Sequence, residues 1–233
     1  MTGRVFGLGV GPGDPELLTV KALARLRAAP VVAYPAPANG ASFARSIVAR
    51  WLSPAQIELP IRVPIESGAP PEEIYDAAAA TIATHLGHGR DVAVLCQGDP
   101  FFYGSFIYLF ARLAAAHEVE IVPGVSSLAA VAAAAKWPLA ARNDVLAVIP
   151  APLDDDAIAN RIACAEAIAI IKLGRHFGRV RDLLERLGLL AHARYVERAT
   201  LGNERVLPLD QVAPETVPYF SMILCHRRGQ AWR

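Results

Sequence analysis

The sequence predicts an α/β protein made of two domains. Short apolar runs typical of buried strands alternate with helical segments along all 233 residues, which is the pattern of layered α/β folds. A proline-glycine pair at residues 123 and 124 then divides the chain into halves of roughly 110 residues, a common domain size. We therefore predict α/β domains at residues 1–122 and 123–233.

Each strand of the first half is short and apolar, and one is edged by proline. The predicted strands are Val5–Leu8, Val31–Tyr34, Leu59–Pro64, Val92–Cys96 and Val119–Val122. The predicted helices are Pro15–Ala28, Ala41–Trp51, Pro71–Leu86 and one that ends at Leu113. An uninterrupted apolar run such as Val92–Cys96 is typical of a parallel sheet covered on both faces.

The second half continues the alternation after Trp137-Pro138 ends a helix over Ser126–Lys136. The predicted strands are Val145–Ile149, Ala167–Ile171, Tyr195–Arg198, Arg205–Leu207 and Phe220–Cys225, and the predicted helices are Asp156–Ala163 and Gly178–Leu187. Three aspartates at 154–156 are suited to the N-terminus of the first of these helices.

Composition excludes several classes of function. A net charge of +1 argues against a nucleic-acid partner, which needs a basic excess. No apolar run reaches the ~20 residues of a membrane span, and we see no signal-peptide core, so we expect a cytoplasmic protein with no membrane partner. Cys96, Cys164 and Cys225 lie in apolar surroundings and are predicted to be buried, reduced thiols.

The most informative segment is Gly7–Glu16, which places four alternate glycines between the first strand and the next helix. Asp14 is a good N-cap and Pro15 suits the first helical position. Alternate glycines let another group approach the backbone closely, and we interpret them as room for a ligand. The alternative is a tight turn with no ligand.

Counting positions excludes a phosphate loop. In the dinucleotide pattern G-x-G-x-x-G, a start at Gly7 puts Pro12 on the last glycine, and a start at Gly9 puts Asp14 there. A P-loop needs Lys and Ser or Thr after its last glycine, whereas Asp14 follows Gly13.

Two further turns also follow predicted strands. Gln97–Ser105 combines glycine, a carboxylate and aromatic residues that could pack on a flat ligand, although Asp99 could instead cap the next helix. Pro123–Ser127 lacks the glycine that a nucleophile elbow needs at Leu128, and Ser126 could be a plain N-cap. Ligands bind beyond the carboxyl ends of such strands, so we expect the three turns to converge on one cleft.

Metal binding is not expected. His85 and His88 have helical spacing, but no carboxylate or thiol completes a ligand set, and the other four histidines show no evident partner. Arginine supplies 20 of the 23 basic residues, which could reflect codon bias or the recognition of carboxylate groups.

The ordered set of motifs resembles the tetrapyrrole methylase family, whose members use S-adenosylmethionine to methylate corrin and porphyrin precursors. The motifs are Gly9–Asp14, Gly98-Asp99-Pro100, Pro123–Ser127, Lys172-Leu173 and Glu197–Thr200 with Arg205-Val206 after it. Within the family, Val31–Pro35, Cys96–Ser105, Gly174–His176, Tyr195–Thr200 and Tyr219–Leu224 are similar to the precorrin-2 C20-methyltransferases of cobalamin biosynthesis.

The resemblance implies a homodimer of two-domain subunits with the cofactor in a cleft between the domains. It implies cofactor contacts at Pro12, Gln97, Gly98, Asp99, Phe102, Ser126, Ser127, Leu173, Ala199 and Thr200. Gln97 stands where the C20 enzymes often carry Glu, which speaks against a charge-based role at this position. Pro35 replaces the Asp of the uroporphyrinogen-methylating branch, which speaks against uroporphyrinogen as substrate.

The implied reaction is transfer of a methyl group to C20 of precorrin-2, giving precorrin-3A and S-adenosylhomocysteine without a metal. The acetate and propionate arms of this tetrapyrrole are expected to meet arginines, for which the candidates are Arg45, Arg62, Arg142 and Arg175. Any general base is unidentified. The alternatives are the cobalt-containing substrate of the oxygen-independent route (cobalt-factor II), a methylase of RNA or protein with the same fold, and a non-catalytic nucleotide-binding module.

Overall fold

The computed structural model describes residues 2–63, 72–229 and 231. The chain divides into two units, Met1–Ser126 and Ser127–Arg233, and each unit carries a five-stranded sheet. The sequence-based boundary at 122/123 lies four residues before this division, and the extent of independently folding domains stays a prediction.

The first unit contains a fully parallel sheet with the strand order β3-β2-β4-β1-β5. Its strands are β1 Val5–Gly9, β2 Val31–Pro37, β3 Ile57–Val63, β4 Val92–Cys96 and β5 Val119–Val122. Its helices are α1 Val20–Ala28, α2 Phe43–Val48, α3 Glu72–Gly87 and α4 Phe106–Leu113. Every strand therefore ends at the same edge of the sheet.

Both faces of this sheet are covered. Phe6 and Leu8 of β1 belong to one apolar cluster, whereas Val5 belongs to a second cluster on the opposite face. Successive side chains of a strand point to opposite faces, so the uninterrupted apolar sequence of β1 and β4 is explained by burial on both sides.

The second unit contains a mixed sheet with the strand order β6-β7-β10-β8-β9. Its strands are β6 Leu146–Pro150, β7 Ala167–Ile171, β8 Ala193–Glu197, β9 Arg205–Pro208 and β10 Ser221–His226, and its helices are α5 Ser127–Ala135, α6 Asp155–Ala163 and α7 Phe177–Arg186. Because β10 is antiparallel to both β7 and β8, those two strands end at the same edge.

Hydroxyl and carboxylate caps divide one predicted helix and move the start of another. Asp14 accepts a hydrogen bond from the backbone N–H of Glu16 at 2.8 Å and begins a single 3₁₀ turn, Pro15–Leu17. Thr19 then caps α1 through Ala22 N at 3.2 Å. Ser42 caps α2 in the same way through Arg45 N at 3.2 Å, so the helix predicted from residue 41 begins at residue 43.

Strand β2 continues three residues beyond the predicted end at Tyr34. Its pairing with β4 covers only Val31–Ala33, whereas its pairing with β3 continues to Pro37. Pro35 and Pro37 lack an N–H, which a strand tolerates where one side is unpaired. The predicted ends at Pro64 and Pro71 lie outside the described residues.

Two of the predicted cysteine environments are confirmed and one is wrong. Cys96 and Cys225 are buried, and burial raises the pKa of each thiol to about 12. Cys164 is exposed, because it is the C-cap residue of α6 and only its neighbours Ile162 and Ala165 turn into the core. The predicted acidic start of α6 is confirmed by a 2.7 Å hydrogen bond from Ala157 N to Asp154.

Of the helices in the described ranges, none has the length and apolar character that a bilayer span requires.

Candidate functional site

Three loops of the first unit leave adjacent strands at the same edge of its sheet. We call residues 10–14 loop A, residues 97–105 loop B and residues 123–126 loop C; they follow β1, β4 and β5 in turn. Strand β1 lies between β4 and β5, so loop A lies between the other two. The expectation that these turns converge is confirmed for their backbones.

Three glycines form the point of convergence, and we call Gly9, Gly98 and Gly124 the glycine junction. A Cβ atom on Gly9 would lie 2.4 Å from the nitrogen of Gly124 and 2.7 Å from the oxygen of Gly98. A Cβ atom on Gly124 would lie 2.1 Å from the same oxygen. The three backbones therefore touch one another.

This contact corrects the interpretation of the alternate glycines as room for a ligand. The group that approaches Gly9 is the protein's own backbone, and a Cβ atom on Gly7 would meet the Phe106 ring at 2.6 Å. Gly11 has φ +81°, a conformation that favours glycine. These glycines therefore build the loop edge itself.

Backbone hydrogen bonds join loop A to loop B. Val10 N donates to Cys96 O at 2.8 Å and extends the β1–β4 pairing. Gly11 and Gly98 then exchange two hydrogen bonds, at 3.3 Å from Gly11 N and at 2.7 Å from Gly98 N. The two loops thus continue the hydrogen bonding of the sheet beyond the ends of its strands.

The Asp99 carboxylate links loop B to loop C. Its Oδ1 accepts from Phe101 N at 2.9 Å, and its Oδ2 accepts from Gly124 N at 3.1 Å. The alternative that Asp99 caps the next helix is wrong, because α4 begins at Phe106 after Ser105 and has no side-chain cap.

Loop B also carries an exposed aromatic surface. Phe101, Phe102 and Tyr103 are 48%, 36% and 51% exposed. Phe102 and Tyr103 pack edge to face with ring centroids 5.1 Å apart. Tyr103 has φ 55°, a strained conformation for a non-glycine residue and one that clusters at functional sites.

The second unit has a comparable edge where β7 and β8 end. Lys172 follows β7 with φ 58°, and Arg198 and Thr200 follow β8 with φ 50° and 71°. Leu173 is fully buried, Ala199 and Thr200 are half-buried, and Thr200 N donates to Glu204 at 2.7 Å. Three strained non-glycine residues therefore lie at one sheet edge.

Glu197 anchors this edge and has a role that the sequence analysis missed. Its side chain is only 2% exposed, and it accepts a hydrogen bond from the Tyr195 hydroxyl at 2.5 Å. Arg198 and Arg205 lie 3.2 and 3.4 Å from its Oε1. Burial and the adjacent carboxylate raise the pKa of Tyr195. The sequence did carry a signal for the first of these contacts, because two residues that are two positions apart in a strand, such as Tyr195 and Glu197, lie on the same face.

A family model for tetrapyrrole (corrin/porphyrin) methylases matches residues 4–213. The chain belongs to this family. The precorrin-2 C(20)-methyltransferase of a Sinorhizobium species is 41% identical over 95% of this chain and 94% of that protein. The cobalt-precorrin-2 C(20)-methyltransferase of Salmonella typhimurium is 33% identical over 99% of both.

Other relatives are longer, and solved structures share the fold. The chain is 43% identical to the cobalamin biosynthesis protein CobIJ of Mycobacterium tuberculosis but spans about half of its length, 46%. A uroporphyrin-III C-methyltransferase of Thermus thermophilus, solved with S-adenosylhomocysteine, is 28% identical with a TM-score of 0.67, covering 96% of this chain and 97% of that one. A cobalt precorrin-4 methyltransferase has a TM-score of 0.75 at 24% identity and covers 97% of this chain and 96% of its own.

Most positions implied by the family lie at the two edges. In the first unit, buried Pro12, half-buried Gln97 and Ser126, and Gly98, Asp99 and Phe102 lie on loops A, B and C. In the second unit, Ser127 begins α5, and Leu173, Ala199 and Thr200 follow β7 and β8.

The four candidate arginines of this tetrapyrrole methylase lie in different places. Arg175 is exposed in the turn after β7, and Arg62 lies near the end of β3 and donates to Pro37 O at 3.0 Å. Arg45 makes two hydrogen bonds to Glu58, at 2.5 and 2.7 Å. Arg142 precedes β6, so it lies at the edge opposite the ends of β6 and β7.

The last two findings concern metal binding and the environment of His226. Within residues 2–63, 72–229 and 231 there is no group of three or more His, Cys, Asp or Glu side chains that could hold a metal ion. His226, for which the sequence suggested no partner, is fully buried and lies 3.2 Å from Asp144, which also accepts from Arg228 at 2.5 Å.

Proposed function

We propose that this protein transfers the methyl group of S-adenosylmethionine to C20 of precorrin-2, giving precorrin-3A and S-adenosylhomocysteine in cobalamin biosynthesis. The observation that carries the proposal is the 41% identity to a precorrin-2 C(20)-methyltransferase along almost the whole of both chains. The geometry supports it, because the strained and glycine-rich loops lie at the sheet edges where α/β proteins bind ligands.

The residues present fit a nucleoside cofactor. The exposed Phe102 ring offers an aromatic surface, and the paired backbones of Gly11 and Gly98 hold loop polar groups in fixed directions. We propose contacts from the first unit at Pro12, Gln97, Gly98, Asp99, Phe102 and Ser126, and from the second unit at Ser127, Leu173, Ala199 and Thr200. A solved relative that is 28% identical was determined with S-adenosylhomocysteine, which supports a cofactor of this kind.

The reaction requires little from the protein beyond the positioning of the two reactants. When bound, the cofactor supplies a methyl group on a positively charged sulfur, which an electron-rich carbon of the substrate can attack in line. The displacement itself requires no metal and no covalent intermediate with the protein. Holding two reacting groups at near-attack distance can lower a barrier by several kcal/mol. Loops A, B and C, whose backbones are hydrogen-bonded or packed closely against one another, suit that task.

The acidic arms of the substrate need cationic partners. Arg175 is the candidate that fits best, because it is exposed at the carboxyl edge of the second sheet beside Lys172. A guanidinium pairs with a carboxylate through two parallel hydrogen bonds. Arg62 is a further candidate at the edge of the first sheet, whereas the Arg45 guanidinium is already engaged by Glu58.

The test is a mass measurement. We expect a gain of one methyl group when the protein is incubated with S-adenosylmethionine and precorrin-2, and a slower reaction with the cobalt-loaded form under the same conditions. Faster methylation of the cobalt-loaded form would show that this form, and not precorrin-2, is the preferred substrate. Tight cofactor binding without any methylated tetrapyrrole would instead favour a nucleotide-binding module, or a methylase of RNA or protein.

We further propose that the protein acts as a homodimer in the cytoplasm, as the resemblance and the composition imply. Light scattering coupled to size-exclusion chromatography tests the first point. A mass near twice 24.9 kDa supports the dimer, and a mass near 24.9 kDa would refute it.

A further inference from the structure

We propose that the Asp99 carboxylate is a positioning group: it joins loop B to loop C and supports cofactor binding through their backbones, without using its charge on the methyl donor. The proposal rests on the proposed function and changes the role of one residue within it. A carboxylate close to a positively charged sulfur would be expected to attract it directly. The structure gives this carboxylate a different task.

Both oxygens of Asp99 are directed at backbone amides. Oδ1 closes a local turn through Phe101 N at 2.9 Å, and Oδ2 reaches Gly124 N at 3.1 Å, 25 positions along the chain. Hydrogen bonds to an ionised acceptor are stronger than bonds between neutral groups. One side chain therefore shapes loop B and attaches it to the start of loop C.

The position of Gly124 makes this attachment consequential. Gly124 belongs to the glycine junction, and a Cβ atom on it would come within 2.1 Å of Gly98 O. Gly98 on loop B and Ser126 on loop C are both proposed to contact the cofactor. Release of Gly124 N would leave its N–H without an acceptor and let loop C move away from Gly98.

Asp91 supplies a matched control. It precedes β4, whereas Asp99 follows the same strand, and its Oδ1 accepts from a backbone amide of a neighbouring segment, Arg4 N, at 2.8 Å. Removal of Asp91 thus deletes the same kind of hydrogen bond at the opposite end of the same strand, away from the three loops.

The experiment compares Asp99→Asn, Asp99→Ala and Asp91→Ala by calorimetric titration with two probes. S-adenosylmethionine carries a positive sulfur, and S-adenosylhomocysteine is its neutral counterpart. We expect Asp99→Ala to weaken both by about tenfold, equally within a factor of two, because the lost hydrogen bonds are those of the loops. Asp99→Asn keeps one acceptor oxygen and should lose about threefold, and Asp91→Ala should bind like the wild type.

Hydrogen exchange gives a readout that does not depend on a ligand. In Asp99→Asn, the amides of residues 124–126 should exchange faster, whereas Asp91→Ala should leave them unchanged. A loss of affinity at least fivefold larger for S-adenosylmethionine than for S-adenosylhomocysteine would overturn the proposal in favour of direct charge recognition. Unchanged affinity in Asp99→Ala, or an equal loss in Asp91→Ala, would also overturn it. If the wild type binds neither probe, the proposed function fails and this inference fails with it.

Discussion

Replacement of Gly124 by alanine tests whether the glycines are needed for the packing of the loops against one another or for the space that a ligand occupies. The new Cβ would lie 2.1 Å from Gly98 O and 2.7 Å from the Cα of Gly9, whereas ordinary contact begins at 3.4 Å. Both neighbours are backbone atoms, so no side-chain rotation relieves the overlap. The loops must separate by more than an ångström.

The expected cost follows from this overlap. Overpacking a tight site costs about 1–3 kcal/mol, and a clash against two backbones places Gly124→Ala at the upper end, about 3 kcal/mol. For a chain of this size each kcal/mol lowers the Tm by about 2–4 °C, which gives a decrease of about 6–12 °C. Differential scanning calorimetry without ligand measures it directly.

Gly87→Ala is the matched control, because nothing lies within 4 Å of a Cβ at this last residue of α3. Its Tm should stay within about 2 °C of the wild type, as for most surface substitutions. A Gly124→Ala variant with a wild-type Tm but impaired binding of S-adenosylhomocysteine would refute the glycine junction. It would restore the interpretation of these glycines as room for the cofactor.

Three further predictions follow from other parts of the molecule. Arg175→Ala should raise the KM for the tetrapyrrole about tenfold, the cost of one charge-assisted hydrogen bond, and leave the Kd of S-adenosylhomocysteine unchanged. Arg142→Ala, at the opposite edge of the sheet, should change neither constant. Equal effects of Arg175→Ala on both constants would contradict its assignment. Hydrogen bonds from Ala141 N, His226 and Arg228 lower the pKa of Asp144 to about 2, below the value of about 3.9 in an unfolded chain, so its stabilising contribution is complete above about pH 4 and is lost as the pH falls toward 2. The Tm difference between the wild type and Asp144→Asn should therefore shrink between pH 5 and pH 2.5, and a constant difference would contradict this account. An aromatic disulfide reagent should titrate one thiol per native chain, Cys164, and three after unfolding; rapid reaction of a second thiol in the native protein would show that the buried cysteines are accessible.

The strands were the most predictable part of this fold. The bounds of β4, β5 and β7 agree with the prediction to the residue. The strands β4 and β7 are buried on both sides and read as continuous apolar runs bounded by a polar residue at each end, whereas β5 is an edge strand that Pro123 and Gly124 end. Helix boundaries were less accurate. A hydroxyl cap at Thr19 or Ser42 competes with helix continuation, and an apolar pattern does not reveal which of the two prevails.

The candidate site was likewise predictable only in part. The sequence identified loops A, B and C and the residues at their edge, because turn residues and the order of the strands are local information. It did not reveal that Gly9 meets Gly124, or that Asp99 reaches across to the same glycine, since these contacts depend on how distant segments pack. Arg205 as a partner of Glu197 and Asp144 as a partner of His226 were missed for a related reason, because each lies on another strand or loop.

The most direct test of the central claim is to locate the transferred methyl group. The protein is incubated with precorrin-2 and S-adenosylmethionine that carries a ¹³C methyl, and the product is examined by NMR. The account predicts one new methyl signal, coupled to C20 of the macrocycle, with one equivalent of S-adenosylhomocysteine released. A label at any other carbon, or no labelled tetrapyrrole although the protein binds the cofactor, would contradict it.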